Sequence, residues 1–193
     1  MNLPNKLTLL RIFLIPVFVA VLFITAIPYR FLIAAAIFAV ASITDTLDGR
    51  IARKRGLVTD FGKLMDPLAD KVFVTTALFC LICITEDPCW RMALTIATII
   101  IVAREFLVTS LRLLVASKGV VIPAAFIGKV KTTLQMIAII CILLETQFAE
   151  KLTELIGFPH WIGYIVLAAA VVATIVSGVQ YVNAYKSYLD PKK

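Results

Sequence analysis

The sequence predicts an all-α integral membrane protein, built as a bundle of six transmembrane helices. Of its 193 residues, 61% are hydrophobic and 16% are charged, and the mean hydropathy is +0.99. Soluble domains are about 45–50% apolar and about 25% charged, so this chain has too few polar side chains to cover a soluble globule. Intrinsic disorder is excluded as well, because it requires low hydrophobicity and high charge.

Six apolar runs, separated by short polar segments, define the predicted helices. In chain order they are Leu7–Ile27, Phe31–Leu47, Pro67–Ile84, Trp90–Ser117, Ala124–Leu144 and Trp161–Tyr185. A helix crosses the hydrocarbon core with about 20 residues, and several runs reach or approach that length. The runs are too long and too evenly apolar for the alternating strands of a membrane barrel. Because no linker or repeat divides them, residues 1–193 are predicted to form a single membrane-embedded domain.

The N-terminal ends of the first and third predicted helices can each be interpreted in two ways. The first run follows Lys6 and resembles a signal peptide, but it is longer than a signal core and no small-x-small cleavage site follows, so a retained span is predicted. For the third helix, Asp66 before Pro67 is typical of a capping residue followed by proline in the first turn. A helix that begins near Thr59 and bends at Pro67 fits equally well, and the sequence leaves both starts open.

The distribution of lysine and arginine predicts the orientation in the membrane. With six spans, sixteen of the nineteen basic residues lie on the side that holds both termini, and only Arg30, Arg91 and Lys151 lie on the other. Membrane proteins retain positive charge on the cytoplasmic side, so both termini are predicted to be cytoplasmic. The same basic excess would attract anionic lipids and anionic substrates.

Four aspartates at the cytoplasmic ends of the second and third helices form the most informative pattern. Asp45 and Asp48 are three residues apart, and Asp66 and Asp70 are four apart, so each pair lies on one helix face. A single aspartate here would be read as a cap or as a partner of a nearby Arg or Lys. Four carboxylates in apolar surroundings repel one another, and a hard divalent cation resolves that conflict. No Cys or His lies nearby, which argues against zinc.

Small and basic residues beside these carboxylates extend the pattern. Asp45, Gly49 and Ala52 lie on one helix face, and Arg53 follows one turn later than Gly49. Small side chains leave room for a bulky group near the backbone, although close helix packing explains them as well. Together with a metal and an arginine, they predict a site for a metal-bound diphosphate and phosphoryl chemistry at the membrane surface.

The complete pattern resembles the signature of the CDP-alcohol phosphatidyltransferase family. It reads D-x-x-D-G-x-x-A-R, eight further residues, then G-x-x-x-D-x-x-x-D, and all eight fixed positions match within 26 residues. The resemblance implies metal binding by Asp45, Asp48, Asp66 and Asp70, with Asp70 also the general base that takes the acceptor's hydroxyl proton. It further implies that Gly49, Ala52, Arg53 and Gly62 shape the cytidine diphosphate pocket. The cofactor implied is Mg²⁺ or Mn²⁺, and the donor substrate is CDP-diacylglycerol.

Other segments resemble family members that use glycerol 3-phosphate as the acceptor. Asn5 and Thr8, in the segment Asn2–Arg11, are candidates to border the nucleotide; helix capping by Asn5 and an Arg11 that extends to the lipid surface are the alternative. Arg104 and Arg112 are about 80° apart on a helical wheel and can reach one cavity, where an arginine fork suits a phosphate. Lys131 is favoured over Lys129 as a third cation, and Glu105 is predicted to orient these cations.

The sequence therefore predicts a membrane enzyme that transfers the phosphatidyl group of CDP-diacylglycerol to glycerol 3-phosphate and releases CMP. Its predicted location is the bacterial inner membrane with the active site facing the cytoplasm. Membrane lipids and, by resemblance, a second copy in a homodimer are the expected partners, and no nucleic acid is. A relative that uses serine, inositol phosphate or phosphatidylglycerol is the first alternative. A cation transporter is the second, but carboxylates gathered at one end beside a basic loop argue against it.

Overall fold

The computed structural model describes residues 3–55, 60–117, 126–157 and 161–186, and it describes side chains over 8–44, 65, 68–116, 126–154, 157 and 161–186. These residues contain seven α-helices and no strand. The helices are α1 Leu3–Phe23, α2 Arg30–Arg55, α3 Asp60–Ile84, α4 Pro88–Ser117, α5 Phe126–Gln147, α6 Ala149–Ile156 and α7 Ile162–Tyr185. The all-helical class is thus confirmed for this part of the chain.

Within the described residues, three helices are long and apolar enough to cross a membrane: Pro88–Ala116 of α4, all of α5 and all of α7. Shorter apolar stretches occupy Thr8–Phe23 in α1 and Arg30–Thr44 in α2. The six predicted runs correspond to α1–α5 and α7. The number of spans and the cytoplasmic position of both termini stay predictions.

The motif-bearing helices α2 and α3 are longer than their apolar runs. Helix α2 continues to Arg55, beyond the predicted end at Leu47, and α3 begins at Asp60. Of the two predicted starts of α3, the earlier one is therefore correct, because the helix begins next to Thr59. Asp66 is an internal position of the helix rather than its cap. Both halves of the aspartate motif lie on helices separated by residues 56–59.

The six predicted apolar runs do not include the short helix α6, Ala149–Ile156. Its sequence, A-E-K-L-T-E-L-I, places Leu152 and Ile156 four residues apart on one side, with charged residues elsewhere. Only eight residues long, it contains no apolar run, so a search for spanning segments passes over it. The helix ends at Gly157, whose φ of 82° is left-handed and whose N–H donates to the carbonyl of Thr153.

A close approach of α5 and α7 holds one end of the bundle together. Gly163, near the start of α7, packs so tightly that an added Cβ would lie 2.5 Å from Cγ1 and 2.9 Å from the backbone nitrogen of Ile142. The buried carboxylate of Glu145 accepts hydrogen bonds from the backbone N–H groups of Ile162 and Gly163 at 2.9 to 3.2 Å. An anion at a helix N-terminus is favourable, so Glu145 fixes the start of α7.

This contact makes Gly163→Ala destabilising. The new methyl group must displace the Ile142 backbone, and overpacking of this kind costs about 1–3 kcal/mol. Thermal unfolding of the purified variant in detergent should show a lower melting temperature. Gly128→Ala is the matched control, because a Cβ there would meet only Oγ of Ser177, at 3.9 Å. Equal melting temperatures for the two variants would contradict the argument.

Candidate active site

Three phenylalanines align α1, α2 and α3. The ring centroid of Phe38 lies 6.0 Å from that of Phe18 and 5.1 Å from that of Phe73, and the Phe18 and Phe73 centroids are 5.5 Å apart. Helix α3 begins five residues after α2 ends, so Phe38 and Phe73 can meet only if the two helices run antiparallel. Helices α1 and α2 are joined by residues 24–29, so the contact between Phe18 and Phe38 requires these two helices to be antiparallel as well.

The phenylalanine layer sets the register of the predicted metal residues. Arg11, Asp45 and Asp66 each lie seven residues from their helix's phenylalanine, toward the end where α2 and α3 are joined. Seven residues are close to two full turns and about 10 Å along a helix. The three positions therefore lie at about the same level along the bundle. The antiparallel pairing of α2 and α3 thus brings Asp45 and Asp66 to the same end of the bundle.

Most predicted metal and nucleotide residues lie on described helices, but outside the part of the chain whose side chains are described. This group consists of Asn5 on α1; Asp45, Asp48, Gly49, Ala52 and Arg53 on α2; and Gly62 and Asp66 on α3. Of the four aspartates, only the side chain of Asp70 is described, and it is half-buried. The roles of the group stay predictions.

Helix α1 turns two polar side chains into the protein at this end. Thr8 is 3% exposed and Arg11 is 4% exposed, although both precede a long apolar segment. Arg11 is thus enclosed by protein rather than extended to the lipid surface. A buried arginine needs negative partners, and its level coincides with the positions of Asp45 and Asp66.

A cluster of basic side chains from three helices gathers around Glu105. Its carboxylate forms an ion pair with Lys131 of α5, lies 3.4 Å from Nη1 of Arg104 in α4, and lies 3.8 Å from Nζ of Lys71 in α3. Lys131 is 5% exposed, whereas Lys129 is exposed, so α5 directs Lys131 inward. Arg112 is exposed on α4 and lies near enough to Lys71 and Arg104 for the positive charges to repel one another. We call Lys71, Arg104, Arg112 and Lys131 the basic cluster.

Lys71 belongs to this cluster, although the sequence pattern does not predict a substrate-binding role for it. Its Nζ donates a 2.6 Å hydrogen bond to Oγ1 of Thr109 on α4. The available signal was its position next to Asp70, at the same end of the bundle as the other cations. Sequence alone does not reveal it, because the contact requires α3 to pack against α4.

The carboxylate and basic regions adjoin at Asp70. This side chain interacts electrostatically with both Lys71 and Lys131. Deeper in the bundle, Nε2 of Gln135, one turn after Lys131, donates to Oγ1 of Thr174 at 3.3 Å, and both residues are buried. The site thus combines a half-buried carboxylate, several cations and the buried polar pair Gln135 and Thr174. This combination suits an acceptor that has both a hydroxyl and an anionic group.

Comparison with known proteins identifies the chain's family. Residues 1–176 match the CDP-alcohol phosphatidyltransferase family over most of the chain. The chain belongs to this family. The resemblance drawn from the eight motif positions is thereby confirmed, and the apolar helices are those of a membrane protein. CDP-alcohol phosphatidyltransferases generally depend on a divalent metal, and the all-oxygen donors of the four aspartates fit such an ion.

Three relatives within this family share most of their length with the chain. The CDP-diacylglycerol–glycerol-3-phosphate 3-phosphatidyltransferase of Bacillus subtilis is 42% identical over 191 residues, with 93% of each chain covered. Relatives of the same name from Rickettsia bellii and Shigella flexneri are 39% identical over 190 residues and 37% identical over 193 residues, with 97% of each chain covered in both comparisons. All three names specify glycerol 3-phosphate as the acceptor.

Proposed function

We propose that this protein transfers the phosphatidyl group of CDP-diacylglycerol to glycerol 3-phosphate, producing phosphatidylglycerophosphate and CMP. The observation that carries the proposal is the basic cluster beside Asp70. Glycerol 3-phosphate is a small dianion, and Lys71, Arg104 and Lys131 come from three helices to one place next to a carboxylate. The names of the relatives agree with this acceptor.

In the proposed reaction, Asp70 takes the proton of the acceptor hydroxyl. The hydroxyl oxygen then attacks the phosphorus that carries the diacylglycerol, and the bond from this phosphorus to the oxygen of CMP breaks. Arg104, Arg112 and Lys131 hold the acceptor's phosphate, since arginine forks and an ammonium group match its oxygens. Asp70 interacts electrostatically with Lys71 and Lys131, which supports its role because the proposed base then adjoins the cations that would hold the acceptor.

Asp45, Asp48, Asp66 and Asp70 would hold Mg²⁺ or Mn²⁺. When bound, such an ion neutralises the diphosphate and stabilises the charge that develops on the departing CMP. The common level of Asp45 and Asp66 in the register of α2 and α3 supports this ligand set. Gly49, Ala52, Arg53 and Gly62, together with Asn5 and Thr8, would surround the cytidine diphosphate group.

The proposed setting is the bacterial inner membrane, with six spans, both termini cytoplasmic and the site open to the cytoplasm. Both water-soluble compounds, glycerol 3-phosphate and CMP, would then enter and leave from the cytoplasm, while the lipid substrate stays in the bilayer. The excess of basic residues on the side of the termini supports this orientation. A homodimer is proposed as the assembly.

An acceptor panel tests the proposal. The purified protein is mixed with labelled CDP-diacylglycerol, a divalent metal and one acceptor at a time: glycerol 3-phosphate, serine, inositol phosphate or phosphatidylglycerol. We expect labelled phosphatidylglycerophosphate and CMP with glycerol 3-phosphate and little product with serine, inositol phosphate or phosphatidylglycerol. Product with any one of these three instead of glycerol 3-phosphate would refute the acceptor and leave the transferase reaction standing. An absence of CMP release with every acceptor would refute the enzymatic proposal itself.

A further inference from the structure

Helix α7 lies against Arg104, although none of its residues belongs to the aspartate motif or to the basic cluster. Nη2 of Arg104 donates a 2.5 Å hydrogen bond to Oγ of Ser177. Ser177 is 0% exposed, so this hydroxyl faces only protein. A charge-assisted hydrogen bond to a buried, stationary partner is stronger and more directional than one to a mobile surface group.

Two neighbours of Ser177 complete the contact with Arg104. Gly178 leaves room for the arginine stem: a Cβ at this position would lie 3.2 Å from Cγ of Arg104. One turn after Ser177, the ring of Tyr181 lies with its centroid 5.7 Å from Cζ of Arg104, within the range of a cation–π interaction. Three positions of one α7 face thus contact the stem, the charged carbon and one terminal nitrogen of a single arginine.

These contacts leave the other terminal nitrogen of Arg104, Nη1, on the side of Glu105 and the other members of the basic cluster. Nη1 of Arg104 lies 3.4 Å from Oε1 of Glu105, the carboxylate that also contacts Lys131 and Lys71. A free arginine side chain samples many rotamers, and ordering it costs conformational free energy when a ligand must do so. Helix α7 meets that cost before any ligand arrives.

We propose that Ser177 is a positioning residue for the anionic acceptor: it holds the guanidinium of Arg104 in the orientation that receives the acceptor's phosphate. The inference rests on the proposed function, because it takes that phosphate to be the anion bound by Arg104. Ser177 itself does not contact substrate. A residue that only packed α4 against α7 would affect stability without distinguishing the two substrates.

Steady-state kinetics separate these roles. Ser177→Ala is expected to raise KM for glycerol 3-phosphate about 10-fold, because the acceptor must then order the released Arg104 side chain itself, with kcat and KM for CDP-diacylglycerol unchanged. Ser177→Thr retains the hydroxyl and should restore most of the affinity. Thr98→Val is the matched control, since Thr98 is a buried hydroxyl on α4 whose Oγ1 has no partner among the described residues. Unchanged KM in Ser177→Ala, or equal shifts for both substrates, would overturn the proposal.

A double-variant cycle tests whether Ser177 acts through Arg104. In an Arg104→Ala background, Ser177→Ala should cause no further rise in KM, because the side chain that it positions is already absent. Two full, additive effects would show that Ser177 acts independently and would overturn the proposal.

A chemical readout makes the test independent of turnover. Phenylglyoxal modifies accessible guanidinium groups, and peptide mass spectrometry measures its rate at each arginine. Ser177→Ala should accelerate modification of Arg104 several-fold, while exposed Arg91 serves as the internal reference. An unchanged rate at Arg104 refutes positioning even if the protein has another acceptor. The wild-type protein could be inactive with glycerol 3-phosphate while Ser177→Ala still accelerates modification of Arg104. That result would refute the proposed acceptor but not the positioning of Arg104 by Ser177.

Discussion

Asp70→Asn is expected to abolish CMP release from CDP-diacylglycerol while the protein remains folded. Asparagine is nearly isosteric with aspartate but cannot accept the acceptor's proton, and a positioned general base contributes about 10²- to 10⁴-fold to a rate. The variant also removes negative charge beside Lys71 and Lys131, which interact with Asp70 electrostatically. Initial rates with saturating glycerol 3-phosphate measure the effect, and thermal unfolding in detergent verifies the fold.

Asp87→Asn is the matched control for this substitution. Asp87 lies at the opposite end of the bundle, where its Oδ1 accepts hydrogen bonds from the backbone N–H groups of Cys89 and Trp90 at 2.8 and 3.0 Å. Asparagine caps a helix about as well as aspartate, so both stability and turnover should change little. A folded Asp70→Asn variant with turnover near that of Asp87→Asn would remove Asp70 as the base.

Arg104→Ala is expected to raise KM for glycerol 3-phosphate on the order of 10- to 100-fold, the range for losing one or two charged hydrogen bonds to a phosphate. KM for CDP-diacylglycerol should change far less, because the predicted nucleotide residues lie on α1, α2 and α3 rather than on α4. The two constants are measured separately, each with the other substrate at saturation.

Arg91→Ala is the control, since Arg91 is exposed and lies thirteen residues earlier on the same helix. It should leave both constants unchanged. If Arg104→Ala raises both KM values by the same factor, the assignment of Arg104 to an acceptor-specific pocket is wrong.

The all-helical class and the family can both be predicted from the amino-acid sequence. The class follows from composition and run length, since a chain with so few charged residues must bury its backbone polar groups inside helices in lipid. The family follows from eight fixed positions in 26 residues. Local spacing was sufficient for both because helix periodicity and motif spacing are short-range properties of the chain.

The start of α3 and the existence of α6 depended on the tertiary structure. Asp66–Pro67 has the local signature of a helix start, yet α3 begins at Asp60, because an isolated capping signal does not exclude an earlier turn. Helix α6 contains too few apolar residues to be recognised as a span, and its eight residues are fewer than the roughly 12–15 that an isolated helix needs, so its own sequence does not predict it. Neither feature is encoded in an apolar run.

The acceptor side of the site was only partly accessible to sequence reasoning. Arg104, Lys131 and Glu105 stood out as charges within apolar runs, and the structure brings all three together. Lys71 and Ser177 did not stand out, because one follows a motif aspartate and the other is a small polar residue in a long apolar helix. Their contacts with Thr109 and Arg104 join residues 38 and 73 positions apart. Only the packing of α3 and α7 against α4 decides such pairs, because helix periodicity relates residues within one helix and carries no information about which helices become neighbours.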